Sequence, residues 1–573
     1  MNWTKILCLA MTLVMGIPPL AWAQRYVLAN ANVVDVTNGS IKPRQYLVIE
    51  GERIQAIVDN PQLITGRIER TFDLKGRYVM PGFWDMHVSD PVGAEWFDLM
   101  LAQGITGVRL FEVHPDSLAD WKRRKAAGEA LPRMYGAASA LTEAQADSAW
   151  QVVDSLQQAG LDFIVAGRHL SRTQFLAVQR ATERRQMPLV AALPLSVSLY
   201  EALRNGLSSS EGGYGMLMAS SVREDYLRDV AWGVRNDPTL QSESDIRRFL
   251  METYAKPKAD SATIILGRRG LWLCPTLTAQ EARGRMEDSL FRQDERLEYL
   301  SPRLLAQWEA QAKNPAYDWT RFAVERALFE ILRNLSGRYE VTQVQVLAGS
   351  GTGHPYVFPG SSLHDELAHL VAGGMTIEEV LRTTTLYPVQ HLGLTADYGT
   401  VEEGKIANLV ILDRNPLLDI RHTREVEGVV LDGKYYQRLA LQMKQARIMD
   451  RHQRKEIVPL LLTAYARGGV DAMRERYQSL EREDVFKQVY NFDEASLEQV
   501  GQTLLAEGHP AAAIEAFQLN AAAYPRSWRA YQSLGRAYEA ANKPEQALRS
   551  YQKAAELNPE SYELRSALQR LKP

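Results

Sequence analysis

Cysteine is almost missing: Cys8 and Cys274 are the two that 573 residues contain. Cys8 falls in an N-terminal segment with the marks of a cleaved leader, so the mature chain is expected to keep one thiol and no internal disulfide. That thiol lies in the apolar run Leu271-Trp272-Leu273-Cys274-Pro275-Thr276-Leu277, which reads as core rather than nucleophile. An excess of one charge is missing too. With 66 basic against 69 acidic residues the formal charge is -3, which excludes a general attraction to nucleic acid. A comfortable membrane span is also lacking, because the run Ile6 to Leu20 is short and broken by Pro18 and Pro19. Preceded by Lys5 and followed by Ala21-Trp22-Ala23 before Gln24, that run reads as a secretory signal over 1–23. The expectation is a periplasmic or secreted protein with no membrane span after cleavage. Cys8 sits inside the apolar run and not at its end, so lipid attachment is not expected.

What is present is a globular composition, 46% hydrophobic and 24% charged, long enough for several domains. Residues 24–80 alternate short β-rich runs with turns, including a hairpin signal at Gly51-Glu52, and the same texture returns over 395–437. The two flanks are expected to build one small β-sandwich. Between them, residues 81–394 alternate short apolar runs with amphipathic helices, the pattern of βα units around a parallel sheet. Eight such runs end near His87, Leu110, Ala138, Ala166, Ala192, Glu211, Leu277 and Gly349, which suits an α/β fold with a (β/α)8 TIM-like barrel whose chemistry lies at the strands' C-terminal ends. The stretch 213–270 is expected to add helices over that face. Residues 438–495 read as a helical connector. From 496 to 573 the chain repeats: Gly501, Ala513, Phe517 and Pro525 recur 34 residues later as Gly535, Ala547, Tyr551 and Pro559. That period resembles tetratricopeptide repeats, which implies an all-α domain and a protein or peptide partner. Residues 457–480 are expected to form a preceding helical hairpin and 562–571 a closing helix.

The barrel region resembles the amidohydrolase superfamily, in its imidazolonepropionase-like and prolidase-like branch. The resemblance rests on Gly82-Phe-Trp-Asp-Met-His87-Val-Ser89-Asp90, on Leu363-His-Asp-Glu-Leu-Ala-His369-Leu-Val-Ala-Gly-Gly-Met-Thr376, and on Gly404-Lys-Ile-Ala-Asn-Leu-Val-Ile-Leu-Asp-Arg-Asn-Pro416. It implies two divalent metals, held by a histidine pair after strand 1, a carboxylated lysine after strand 4, histidines after strands 5 and 6, and an aspartate after strand 8. Such a centre lowers the pKa of bound water while the aspartate moves protons. Here the first histidine is His87, but Ser89, Val165, Ala192, Gly212 and Gly351 stand at the other positions. Valine, alanine and glycine offer no ligand atom, whereas a catalytic zinc needs about three protein ligands. No metal and no confident catalytic residue is therefore expected; zinc would follow only from the family resemblance.

The primary expectation is an exported, metal-free pseudo-hydrolase that acts as a binding or scaffold protein. The alternative is a hydrolase of carbon–nitrogen bonds working through a relocated or metal-free site, with His114, His169 and His354 as possible relocated ligands. Loss of the metal ligands is expected to leave a roomier, less polar barrel mouth that takes a small molecule, rimmed by Arg109, Glu112, Arg168, Glu211, Tyr214 and His354. His87 itself is expected to be a satisfied barrel histidine, bonded near Asp85 or Asp90. In the repeats, Arg526, Arg529, Arg536 and Lys543 offer a face for acidic peptides, with a solvated helix face as the plainer reading.

Overall fold

A computed structural model describes residues 25–89, 95–314 and 319–571; the expected signal 1–23, Cys8 and Asp90 lie outside the described residues. The N-terminal flank begins with the long hairpin Arg25–Asp35 and Ser40–Glu50, continued by Arg53–Val58 across Gly51, whose φ of 58° suits the tight turn. Strand Tyr78–Pro81 runs parallel to the first strand and pairs antiparallel with Leu409–Leu412 from the far end of the chain. Val426–Leu431 and Lys434–Gln437 extend the same sheet. The expected sandwich is thus one eight-stranded sheet from both flanks. It curls until edge strand Arg53–Val58 meets the chain leading into Leu409–Leu412: Ile54 N–H donates to Lys405 O and Ala407 N–H to Glu52 O. Leu28, Leu47, Ile49, Val79 and Leu409 fill the inside of the curl.

Eight parallel barrel strands follow: β1 Phe83–Ser89, β2 Ile105–Phe111, β3 Arg133–Gly136, β4 Ile164–Ala166, β5 Leu189–Ala191, β6 Leu207–Glu211, β7 Trp272–Cys274 and β8 Gln345–Val346. They form two ladders, β1 to β3 and β4 to β8. Asp162 N–H to Gly136 O and a bridge between Leu141 and Ala166 join one seam; Met86 N–H to Ala348 O and Gly351 N–H to His87 O join the other. Alternation along the strands sorts the side chains. Phe83, Val108 and Leu110 meet the outer helices, while Trp84, Met86, Cys274 and Leu347 pack together as a separate cluster, so Cys274 is core. A Cβ at Gly107 would lie 2.3 Å from the Trp84 ring, which is why glycine stands there. Four helices occupy the insert after β6: Tyr214–Ala219, Glu224–Ala231, Glu243–Thr253 and Lys256–Arg268.

Beyond the sheet, helix Arg438–Gln453 returns along Glu95–Ala102, held by Lys444 to Asp98 (2.5 Å) and Arg451 to Glu95 (2.7 Å). Helix Val458–Arg482 is broken at Gly468 and Gly469, where the backbone leaves helical φ/ψ, so two helical segments precede the repeats. Repeat helices Glu494–Ala506, Pro510–Ala523, Trp528–Ala540 and Pro544–Leu557 are closed by Tyr562–Arg570. The 34-residue period has a packing cause: Cβ atoms at Gly501 and Gly535 would fall 2.4 and 2.6 Å from the Phe517 and Tyr551 rings. No described helix is long and apolar enough to cross a membrane.

Candidate functional site in the barrel

His87 ends the inward face of β1, where a register irregularity between Asp85 and Val88 re-aims the strand. Its ring stacks on Phe111, centroids 4.0 Å apart, and its Nδ1 lies 2.9 Å from Glu211 Oε2. The ring partner is Glu211 and not Asp85, which instead accepts the His87 backbone N–H at 3.2 Å. Asp85 also accepts from Ser350 N–H and Oγ–H, yet its burial outweighs these bonds and raises its carboxyl to about 6.

Glu211 stands at the end of β6, and opposite it on β2 is Arg109, whose side chain is 1% exposed. The Arg109 guanidinium donates to Glu211 Oε1 (2.7 Å), Ser209 Oγ (2.9 Å) and Met86 O (2.8 Å), and Ser209 Oγ–H donates to Glu211 Oε1 at 2.7 Å. Burial pushes the Glu211 carboxyl up, but Arg109, His87 and Ser209 outweigh it and hold it at about 2. Arg109 and Glu211 are therefore inside the barrel, and their expected place on the rim is corrected: each removes the other's reason to reach water.

The positions that resemble lost ligands have diverse fates. Val165 joins an apolar plug of Phe111, Ala137, Phe163 and Val190. Ala192 directly follows β5, and Ser89 closes β1 with its N–H on Thr352 O. Gly212 turns the chain out of β6 at φ +69°, and its carbonyl accepts from Gln280. At Gly351, φ +72°, a Cβ would meet Ala279 Cβ at 2.6 Å. Ala279 and Gln280 belong to helix Leu277–Arg285, which crosses this end of the barrel. The mouth expected to be roomy and apolar is instead occupied by a charged network, a ring stack and a helix.

Glu366, which sequence reasoning assigned no role, anchors that helix. It is fully buried and accepts from Leu277 N–H (2.9 Å), Thr278 N–H (2.7 Å) and Thr278 Oγ–H (3.0 Å), serving as a cap from another element. Tyr214 is buried beneath Arg168, whose guanidinium lies 4.4 Å from the ring and pairs with Glu243 at 2.8 Å. His354 Nε2 accepts from Arg283 at 3.3 Å. Burial and then Arg283 hold His354 well below the usual imidazole range. His114 and Glu112 line a different cleft beside the repeats, and His169 is exposed, so the three histidines do not converge.

Among the described residues, the donors that do converge are His87, Glu211 and Cys274, within 4.8 Å of one another. They do not fit a divalent ion. Both Glu211 oxygens are taken, a fixed guanidinium is bonded to one of them, and burial followed by the Glu211 charge pushes the Cys274 thiol well up, keeping its proton. A double positive charge 4 Å from a single one meets a repulsion of about 8 kcal/mol at an effective dielectric of 20.

The amidohydrolase family model matches residues 351–435, and the tetratricopeptide repeat model matches 528–561. Among solved structures, a bottromycin amidohydrolase is similar with a TM-score of 0.54 at 21% identity, over 76% of this chain and 94% of that one. A putative prolidase from Bifidobacterium longum is similar with a TM-score of 0.52 at 18% identity, over 74% and 99%. A Xaa-Pro dipeptidase with methionine bound in its active site is similar with a TM-score of 0.51 at 16% identity, over 72% and 100%. No curated protein sequence matches the chain. The chain thus has the amidohydrolase fold and a tetratricopeptide tail. The amidohydrolase match covers the Glu366 helix and the returning sheet strands, but not the ends of β1, β4, β5 and β6.

Proposed function

We propose that this chain is an exported protein of amidohydrolase fold that has no metal centre and acts by binding, with its repeats as a docking module. The observation that carries this reading is Arg109: a buried guanidinium neutralises Glu211 beside His87, so this charge cluster already contains its cation. A permanent cation that loses no proton cannot turn water into hydroxide. The glycine at 351 also leaves the end of β8 without the carboxylate that would move protons in the resembled family.

The test is turnover of N-acyl dipeptides and cyclic imides by the full chain with added zinc. No turnover above the uncatalysed rate is expected. Turnover by the native chain that His87→Ala abolishes would establish a hydrolase in place of a binding protein.

A further inference from the structure

A cleft of about 1010 Å³ lies between the barrel and the inner helices of the repeats, and its walls come from distant parts of the chain. Glu112 after β2 and Arg303 in the segment between β7 and β8 stand on the barrel side, and helices Glu494–Ala506 and Trp528–Ala540 form the facing wall. Two of the lining carboxylates are matched: Glu95 by Arg451 (2.7 Å) and His452 (3.2 Å), and Glu563 by Arg536 (2.6 Å) and His114 (3.0 Å). Among the described residues, Glu112, Glu456, Asp493, Glu494 and Glu498 have no cation within ion-pair distance. Of the lining guanidiniums, only Arg303 and Arg529 lack a carboxylate, since Arg124 pairs with Glu129. The unmatched carboxylates accept from neutral groups instead. Glu498 takes Ser533 Oγ–H (2.6 Å) and Gln502 (2.8 Å), Glu494 takes Ser527, and Glu456 takes Ser496 at 3.1 Å. Burial raises the Glu456 and Glu498 carboxyls, and the Asp493 and Glu494 charges add to it, so a cation in the cleft would relieve both penalties. A second observation is independent of this charge. Trp528 lines the cleft and is 4% exposed, yet its Nε1–H has no acceptor among the described residues. His452, 8% exposed at its side chain, gives Nε2–H to Glu95 and leaves Nδ1 without a partner, as is Glu498 Oε2. Buried polar groups are ordinarily satisfied, so three orphaned atoms on one cleft point to a ligand that supplies an acceptor, a donor and a cation.

We propose that this cleft binds an extended basic segment of a partner polypeptide, with lysine or arginine at alternate positions. A main chain offers both the carbonyl and the N–H that the orphaned ring nitrogens need, and its basic side chains meet the unmatched carboxylates. A compact metal ion does not fit, because among the described residues no three of these carboxylates bring oxygens within 4.8 Å of one another. Spacing suits an extended chain: Glu494 and Glu498 stand one helical turn apart, about 5–6 Å, and alternate side chains of a strand lie about 7 Å apart. The sign is opposite to that of the basic face read from the sequence. Arg536 is spent on Glu563, and Arg529 on Ser117 (3.1 Å) and the Trp528 ring (5.0 Å), while Arg526 and Lys543 do not line the cleft. This inference rests on the repeats acting as a docking module and names the partner they take; it does not draw on the metal-free barrel.

The experiment titrates the full chain, by calorimetry at low and high salt, with an acetylated and amidated pentapeptide of lysines alternating with serines, with its glutamate counterpart, and with spermidine. The lysine peptide is expected to bind about tenfold or more tightly than either of the others, and more weakly at high salt. The double variant Glu494→Gln/Glu498→Gln, which keeps acceptors for Ser527 and Ser533, is expected to weaken the lysine peptide by about tenfold, and Glu112→Gln on the barrel wall by about threefold. Glu545→Gln removes the same charge from an exposed position outside the cleft and is expected to leave binding as in the native chain; thermal unfolding of each variant confirms that it is folded. Unchanged affinity in the double variant or in Glu112→Gln, or spermidine binding as tightly as the lysine peptide, overturns the site. Preference for the glutamate peptide overturns the basic partner and keeps the docking module, whereas no binding of either peptide overturns both.

Discussion

Arg109, Glu211 and His87 form a buried unit in which removal of one member leaves charge behind. Arg109→Met should destabilise the fold by about 3–5 kcal/mol in chemical denaturation, and a loss below about 1 kcal/mol would mean the pair is not desolvated as described. The same variant, if it remains folded, should gain zinc binding at His87, Glu211 and Cys274, because it removes the opposing charge; titration with zinc reads this directly. Acid and base act on Glu211 and Asp85 in opposite directions. Glu211 is depressed to about 2, so its contribution is complete above the usual carboxyl range and is lost as pH falls towards 2. Asp85 is raised to about 6, so its contribution is present below the usual range and lost as pH rises through 6. Asp85→Asn should flatten the stability profile between about pH 4 and 6, and an unchanged slope would contradict its assignment. In the sequence, the missing ligand types were legible residue by residue. The inward aim of Arg109 was not: strand alternation places Arg109 and Phe111 on one face but does not say which, and its partner lies 102 residues away.

Helix Leu277–Arg285 decides the shape of the mouth, and its anchor is a single carboxylate from another helix. Glu366→Ala should cost about 1–2 kcal/mol as a lost cap and should speed amide hydrogen exchange over 277–285 more than elsewhere. Uniform exchange would show that the helix is held by packing alone. In the repeats, Gly535→Ala pushes a methyl into the Tyr551 ring and should lower stability by about 1–3 kcal/mol, read as loss of the C-terminal helices' protection. Elements of this kind were legible where period and residue size agree: the barrel strands fall where the apolar runs predict them, and the repeat's glycines and aromatics mark their own contact. The crossing helix was hidden because Trp272 to Leu277 reads as one apolar run. The strand stops at Cys274, and Thr276 turns the chain at φ 49° into the helix.

The repeats are docked on the barrel by polar contacts to helix Pro115–Ala126. Asp116, buried at the start of helix Pro115–Ala126, accepts from Ser561 Oγ–H (2.6 Å) and Tyr562 N–H (3.0 Å), while Arg529 donates to Ser117 at 3.1 Å. Arg536 pairs with Glu563, so Arg529 and Arg536 are partly used within the chain and are not a free basic face. Next to these contacts a cleft of about 1010 Å³ separates the barrel from the inner repeat helices. Asp116→Ala should open the molecule, seen as a larger radius of gyration in solution scattering; an unchanged radius would place the docking energy elsewhere. The half-exposed pair His114 and Glu563 tunes the same contact weakly. Glu563 holds His114 above its usual value, so the histidine's contribution is present below that value and lost as pH rises through the raised one; His114 in turn leads the groups holding Glu563 at about 2. None of this was legible in sequence, because the contacts join segments more than 400 residues apart. The most direct measurement on the whole molecule is its metal content. Native full-length protein, purified without chelator and equilibrated with zinc, manganese and iron, should carry no stoichiometric ion by elemental analysis. An ion in every chain, seated among the barrel strand ends, would contradict the reading of Arg109 as the site's own cation.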